Sequence, residues 1–174
     1  MPDQRPAPVE RVAAGRYALR LDDGERRVIG SLLGQLDAVV AQDPSSRDPA
    51  LGRLYPPMIP EDPAADAEIT GLIRADLADG RARQRAAVLA TIEATTLDEA
   101  QAAAWLGVCN DLRLVLGTRL GITGEDDPEP DADDPDGWPL MVFHWLGWLV
   151  GCIVDALAGG LPASGAGEGA EEGG

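Results

Sequence analysis

Lysine is absent from this chain, histidine occurs once, and aromatic residues make up 4% of its 174 positions. A single imidazole, His144, rules out a multi-histidine zinc centre. Such a centre needs three or four ligands converging on one point, and the two cysteines, Cys109 and Cys152, lie too far apart in sequence to supply them. No metal and no cofactor is expected. The chain also has no Gly-x-Ser-x-Gly elbow and no glycine-rich phosphate loop. Without an evident nucleophile and base, an enzyme is not expected.

Scarce aromatics leave Leu, Val, Ile and Ala to fill the core, and apolar residues reach 45%, as in globular domains. All 14 basic residues are arginine, and none follows Arg119, whereas residues 120–174 carry 12 acids. The net charge of −16 repels phosphate backbones and anionic lipid, so direct binding to nucleic acid is not expected. The first 20 residues contain no apolar run of signal-peptide length, which predicts a cytoplasmic protein with reduced thiols. Trp138 to Ala158 is long and apolar enough to span a bilayer. It contains His144 and Asp155, however, and no basic residue flanks it. It reads as a buried central helix, and no membrane is expected.

Helical periodicity organises the rest. Residues 1–11 read as a flexible N-terminus, and Val12 to Leu21 as a short strand or extended arm. Asp22 with Glu25 has capping-box spacing, and Ile29, Leu32, Leu33, Leu36 and Val40 form one helical stripe. Three prolines make Leu51 to Pro60 an ordered turn at best. Asp62-Pro63 starts a second helix, expected to run to about Ala94. Thr96-Leu97-Asp98-Glu99 reads as a capping box opening a third, which Gly121 ends. Gly124 to Gly137 is an acidic, proline-rich loop. A fourth helix, with Pro139 in its first turn, stops at Gly159. Residues 159–174 read as a disordered acidic, glycine-rich tail. The expectation is an all-α, compact four-helix domain over residues 12–158, with a short N-terminal extended arm or strand.

Three sets of residues stand out. On the second helix, Arg74, Arg81 and Arg85 share one angular sector and form a candidate partner-binding stripe; a solvated face accounts for the same pattern. On the third, Asn110, Arg113 and Arg119 lie at the rim of the core and suggest a structural polar network with acids such as Asp111. Cys109 and Cys152 sit on different helices and could form a redox pair if those helices pack in register; two separately buried thiols are the plainer reading. On the fourth helix, Gly147 and Gly151 invite close approach of a second backbone, within the chain or in a homodimer. Trp145, Trp148 and Cys152 line the adjacent face. A small-molecule pocket or uncharacterised active site near His144 is the remaining alternative.

Four stretches carry a resemblance: Arg53-Leu54-Tyr55-Pro56-Pro57; the Glu61-Asp62 helix start; Asn110-Asp111-Leu112-Arg113-Leu114-Val115-Leu116-Gly117-Thr118-Arg119-Leu120-Gly121; and Trp145-Leu146-Gly147. Over residues 12–158 the chain resembles an actinobacterial family of helical domains of unknown function that includes the oxidative-stress regulator AosR. The resemblance implies a cytosolic accessory regulator that binds a protein partner, a sigma factor, and adjusts transcription under oxidative stress, with cysteine oxidation as the switch. That switch uses two cysteines close together in sequence. Here they are 43 positions apart, so the trigger does not carry over residue by residue.

Overall fold

The computed structural model describes residues 6–41, 48–57, 59, 61–122 and 137–159; within the long third helix, the side chains of residues 63 and 67–75 fall outside that description. The acidic loop, nearly all of the C-terminal tail and residues 1–5 also lie outside the described residues.

The architecture is mixed α/β, not the all-α four-helix domain expected. Three strands form an antiparallel sheet in the order β1 (Val9–Ala13), β2 (Arg16–Leu19), β3 (Thr96–Asp98). Five helices accompany it among the described residues: α1 (Asp23–Val40), α2 (Pro49–Leu54), α3 (Pro63–Ala90), α4 (Glu99–Arg119) and α5 (Trp138–Ala158). What was expected to be one arm is a hairpin. Gly15 turns it at φ +64°, a conformation that costs glycine little. The register slips between Arg11 and Ala13, leaving Val12 as a bulge. β2 is the central strand, and Tyr17, Ala18 and Leu19 are all buried. The clean alternation that marks a half-exposed strand is therefore missing.

Helix starts follow local chemistry closely. Asp22 Oδ1 accepts from the Glu25 N–H at 2.9 Å, and Glu25 Oε2 accepts from the Asp22 N–H at 2.9 Å, closing the expected capping box. At α4 the box sits two residues later than expected: Asp98 is the cap, paired with Gln101 at 2.8 and 2.9 Å. Thr96 and Leu97 are thereby released to pair with Ala18 and Tyr17 as β3. The stretch read as a turn, Leu51 to Pro60, begins inside α2, which Asp48 caps and Pro49 opens. α4 ends at Gly121, φ +72°, where the Ile122 N–H donates to Gly117 O and the Gly121 N–H to Thr118 O, a Schellman arrangement.

The helix at the centre of the domain is α4, not α5. It touches all four other helices and the sheet, and Trp105, Val108 and Cys109 on it are fully buried. The Trp105 indole N–H donates to Thr91 Oγ1 at 2.9 Å, and that hydroxyl donates to Ala87 O at 2.7 Å, so a buried polar chain ties α4 to the end of α3. α5 packs on α4 and β1. It buries Val142, Phe143, Leu146, Leu149, Ile153 and Ala156, which leaves two-thirds of its most apolar stretch outside the core.

Candidate functional site

Two of the three arginines of the candidate stripe turn inward. Arg81 Nη1 donates to Asp111 Oδ1 across the α3–α4 interface, and its guanidinium lies 5.2 Å from the centre of the Tyr55 ring. Arg85, itself buried, donates from Nε to Asp37 on α1 at 2.7 Å. Burial lifts the Asp111 carboxyl above its ordinary range; the hydrogen bond and charge of Arg81, and the charge of Arg85, pull it back down. These groups hold α1, α3 and α4 together and already have carboxylate partners within the chain. The side chain of Arg74 falls outside the described residues.

The expected polar network on α4 does not gather at one place. Asn110 is exposed. The Arg113 guanidinium sits 4.4 Å from the Phe143 ring centre, with Nε buried and without an acceptor. Arg119 donates to Gln35 Oε1 at 3.3 Å on the surface. Gly147 provides the room for Arg113: a methyl group at Gly147 would stand 3.1 Å from Nε. The glycine pair of α5 is thus split, since Gly151 has no neighbour within 4 Å and faces out.

Both cysteines are free thiols. Cys109 is fully buried, and desolvation pushes its thiol up to about 12, so it stays protonated at neutral pH. Cys152 is partly exposed; burial and then the nearby Asp155 charge raise its pKa as well. His144 stands edge-on to Phe143, ring centres 5.5 Å apart. Among the described residues no three His, Cys, Asp or Glu side chains converge as a metal site.

The surface with capacity to bind lies elsewhere. Trp138, Met141, Trp145, Trp148, Cys152 and Asp155 follow one another at steps of 3 and 4 along α5, the spacing of a coiled-coil seam. Trp138, Trp148 and Met141 of this seam are exposed, at 54%, 49% and 39%, whereas Trp145 and Cys152 are partly buried. At its N-terminal end the seam borders a groove of about 340 Å³ against the start of α1, lined by Asp22, Gly24, Glu25, Val28, Trp138, Met141, Val142 and Trp145. The Trp145 indole N–H is buried there with no acceptor. A second cleft, of about 430 Å³, lies at the other end between β1 and α5, where Cys152 and Asp155 meet Glu10 and Arg11. His144 lines neither cleft. Chemically, the exposed part of the α5 face offers apolar contact through Trp138, Met141 and Trp148. The spacing of its residues was visible in the sequence; that they face outward was not.

The family model for a domain of unknown function, DUF2017, matches residues 6–157 of the chain. No curated protein and no solved structure matches it.

Proposed function

We propose that the chain, which belongs to the DUF2017 family, is a non-catalytic regulatory module that acts by binding another protein. The observation that carries this reading is the outer face of α5, where Trp138, Met141 and Trp148, at steps of 3 and 7, are exposed along one line of a helix that carries no Asp, Glu, Lys or Arg from Trp138 to Val154. Apolar strips of this kind mark contact surfaces rather than ordinary solvated ones. The chemistry nearby favours binding over catalysis: the Cys109 thiol is held protonated in the core, and Arg81 and Arg85 are engaged with Asp111 and Asp37.

The finer part of the proposal comes from the resemblance to the AosR-containing family. It makes the chain a cytoplasmic regulator whose partner is a sigma factor and whose action adjusts transcription under oxidative stress. Thiol oxidation would then act on Cys152, the more accessible of the two cysteines. A photo-reactive residue placed at position 148 in cells tests the reading against a control at the exposed position 83 of α3. Crosslinks to a transcription component from position 148 alone are expected. Crosslinks confined to lipid, or equal yields from both positions, would reject it.

A further inference from the structure

We infer that Arg113, at the border between α4 and α5, is the anchor for one carboxylate side chain of the partner. This deepens the protein-binding reading and rests on it.

Arg113 is the exception among the arginines of this chain. Among the described residues, every other arginine that is at least partly buried has an acceptor. Arg20, Arg81 and Arg85 pair with Glu10, Asp111 and Asp37, and Arg11 and Arg26 donate to main-chain carbonyls. Arg113 is partly buried and has neither a hydrogen bond nor an ion pair. Of its guanidinium nitrogens only Nε is buried. The two terminal nitrogens are therefore open to a ligand.

Both helices fix this cation in place. Its guanidinium stacks 4.4 Å from the centre of the Phe143 ring. A methyl group on Gly117 would stand 2.8 Å from Phe143 Cε2, and one on Gly147 would stand 3.1 Å from Arg113 Nε. The two glycines thus leave the room in which ring and arginine lie. The ring attracts the cation through its face but accepts no ordinary hydrogen bond. A partly desolvated cation without a counter-ion is unfavourable, and a carboxylate arriving on a partner relieves it.

Three features select a carboxylate carried by a protein. The end of a guanidinium is a planar fork that matches the two oxygens of a carboxylate. A single cation stands here, since Arg119 is turned onto Gln35, and the chain's net charge is −16; a singly charged ligand is repelled less than a dianionic phosphate. Arg113 lines neither cleft beside α5, so a free small acid would be held by this contact alone. A protein carboxylate is held by its surroundings as well. Gly151, exposed one turn after Gly147, lets a backbone come close. It lies three residues from Trp148, a neighbouring position on the helix surface, so one partner segment can reach both the arginine and the exposed tryptophan.

The test uses the full chain. Labelling with 15N-arginine gives an Nε–H signal for Arg113, assigned by its loss in Arg113→Lys. Sodium acetate should move this signal at roughly a fifth of the concentration that sodium chloride needs for the same shift. The Arg81 and Arg85 signals should stay in place. In cells, a photo-reactive residue at position 110, exposed one turn before Arg113, should capture the same transcription component as position 148. Arg113→Gln should lower the position-110 yield about tenfold, the loss of one charge-assisted pair, and Arg113→Lys, which keeps the charge, should lower it less. Circular dichroism confirms the fold of both variants. Absence of an acetate response at Arg113 overturns the inference, as does a position-110 yield that Arg113→Gln leaves unchanged. Tighter binding of inorganic phosphate than of acetate overturns the carboxylate assignment. An acetate response with no protein captured from either position marks a site for a free acid, and both readings fall. If position 110 is silent while position 148 still captures a transcription component, the Arg113 anchor falls and the protein-binding reading stands.

Discussion

Replacing Arg81 by methionine keeps most of the side-chain volume and removes the only hydrogen-bonded cation of the Asp111 carboxylate described here. The Asp111 side chain is 7% exposed and that of Arg81 28%. Breaking a buried ion pair by deleting one partner costs about 3–5 kcal/mol, because the other charge is left desolvated. The partial exposure of Arg81 allows water to follow, so a loss of about 2 kcal/mol at pH 7 is expected, with the lost stacking on Tyr55 included. The loss should depend on pH with a definite sign. Burial already raises the Asp111 pKa in the folded state above its unfolded value, and Arg81 opposes that rise. Without Arg81 the folded value climbs further. A folded state that binds the proton more tightly than the unfolded state gains stability as pH falls. The deficit of the variant relative to the parent should therefore be largest at neutral pH and shrink as pH drops through the carboxylate range towards about 4. Adding Asp111→Leu to Arg81→Met removes the stranded charge and should restore all but about 1 kcal/mol. Urea unfolding, followed by tryptophan fluorescence at pH 7 and pH 4, measures each term. A deficit below about 0.5 kcal/mol at pH 7, the value of a surface pair, or an equal deficit at both pH values, would refute the argument.

Gly117→Ala places a methyl group 2.8 Å from Phe143 Cε2, beneath a ring that already carries Arg113; it should cost about 1–3 kcal/mol as overpacking. Gly80→Ala meets nothing within 4 Å and should raise stability by about 0.5–1 kcal/mol through helix propensity; thermal melts of the two proteins should shift in opposite directions. Titration with a thiol reagent at pH 7 should count at most one reactive cysteine in the native protein, Cys152, and two in denaturant, since Cys109 is buried and its pKa is near 12; two rapid thiols in the native protein would contradict the placement. Arg26 is buried and donates to the carbonyls of Leu21, Ile92 and Ala94. Arg26→Met strands those acceptors and should cost about 2 kcal/mol in urea unfolding.

Signals confined to a few neighbouring residues could be read from sequence; those that depend on distant partners could not. Asp22 with Glu25 and the Gly121 cap needed only local chemistry, and both are present. The α4 box was displaced because Thr96-x-x-Glu99 and Asp98-x-x-Gln101 are both sound caps, and pairing with β2 decides between them. β3 has three residues and one buried side chain, Leu97, too short for any periodicity to show. Arg81 and Arg85 look like a solvated stripe until the fold brings up Asp111, 30 residues away, and Asp37, 48 residues away.

A helix that is apolar on every side implies burial on every side, and that inference placed α5 at the centre of the domain. Among the described residues α5 packs chiefly on α4 and β1, and one-third of its apolar stretch is buried. The magnitude of what remains constrains the partner. A tryptophan buries about 150–250 Å² in full, so covering the exposed half of Trp138 and Trp148 at about 25 cal/mol per Å² gains about 5 kcal/mol together. Association itself costs about 4–15 kcal/mol in lost freedom. The two indoles alone therefore cannot hold a partner that lacks an apolar face of its own. A surface that merely touches them would dissociate, while one that brings an apolar face of its own would stay.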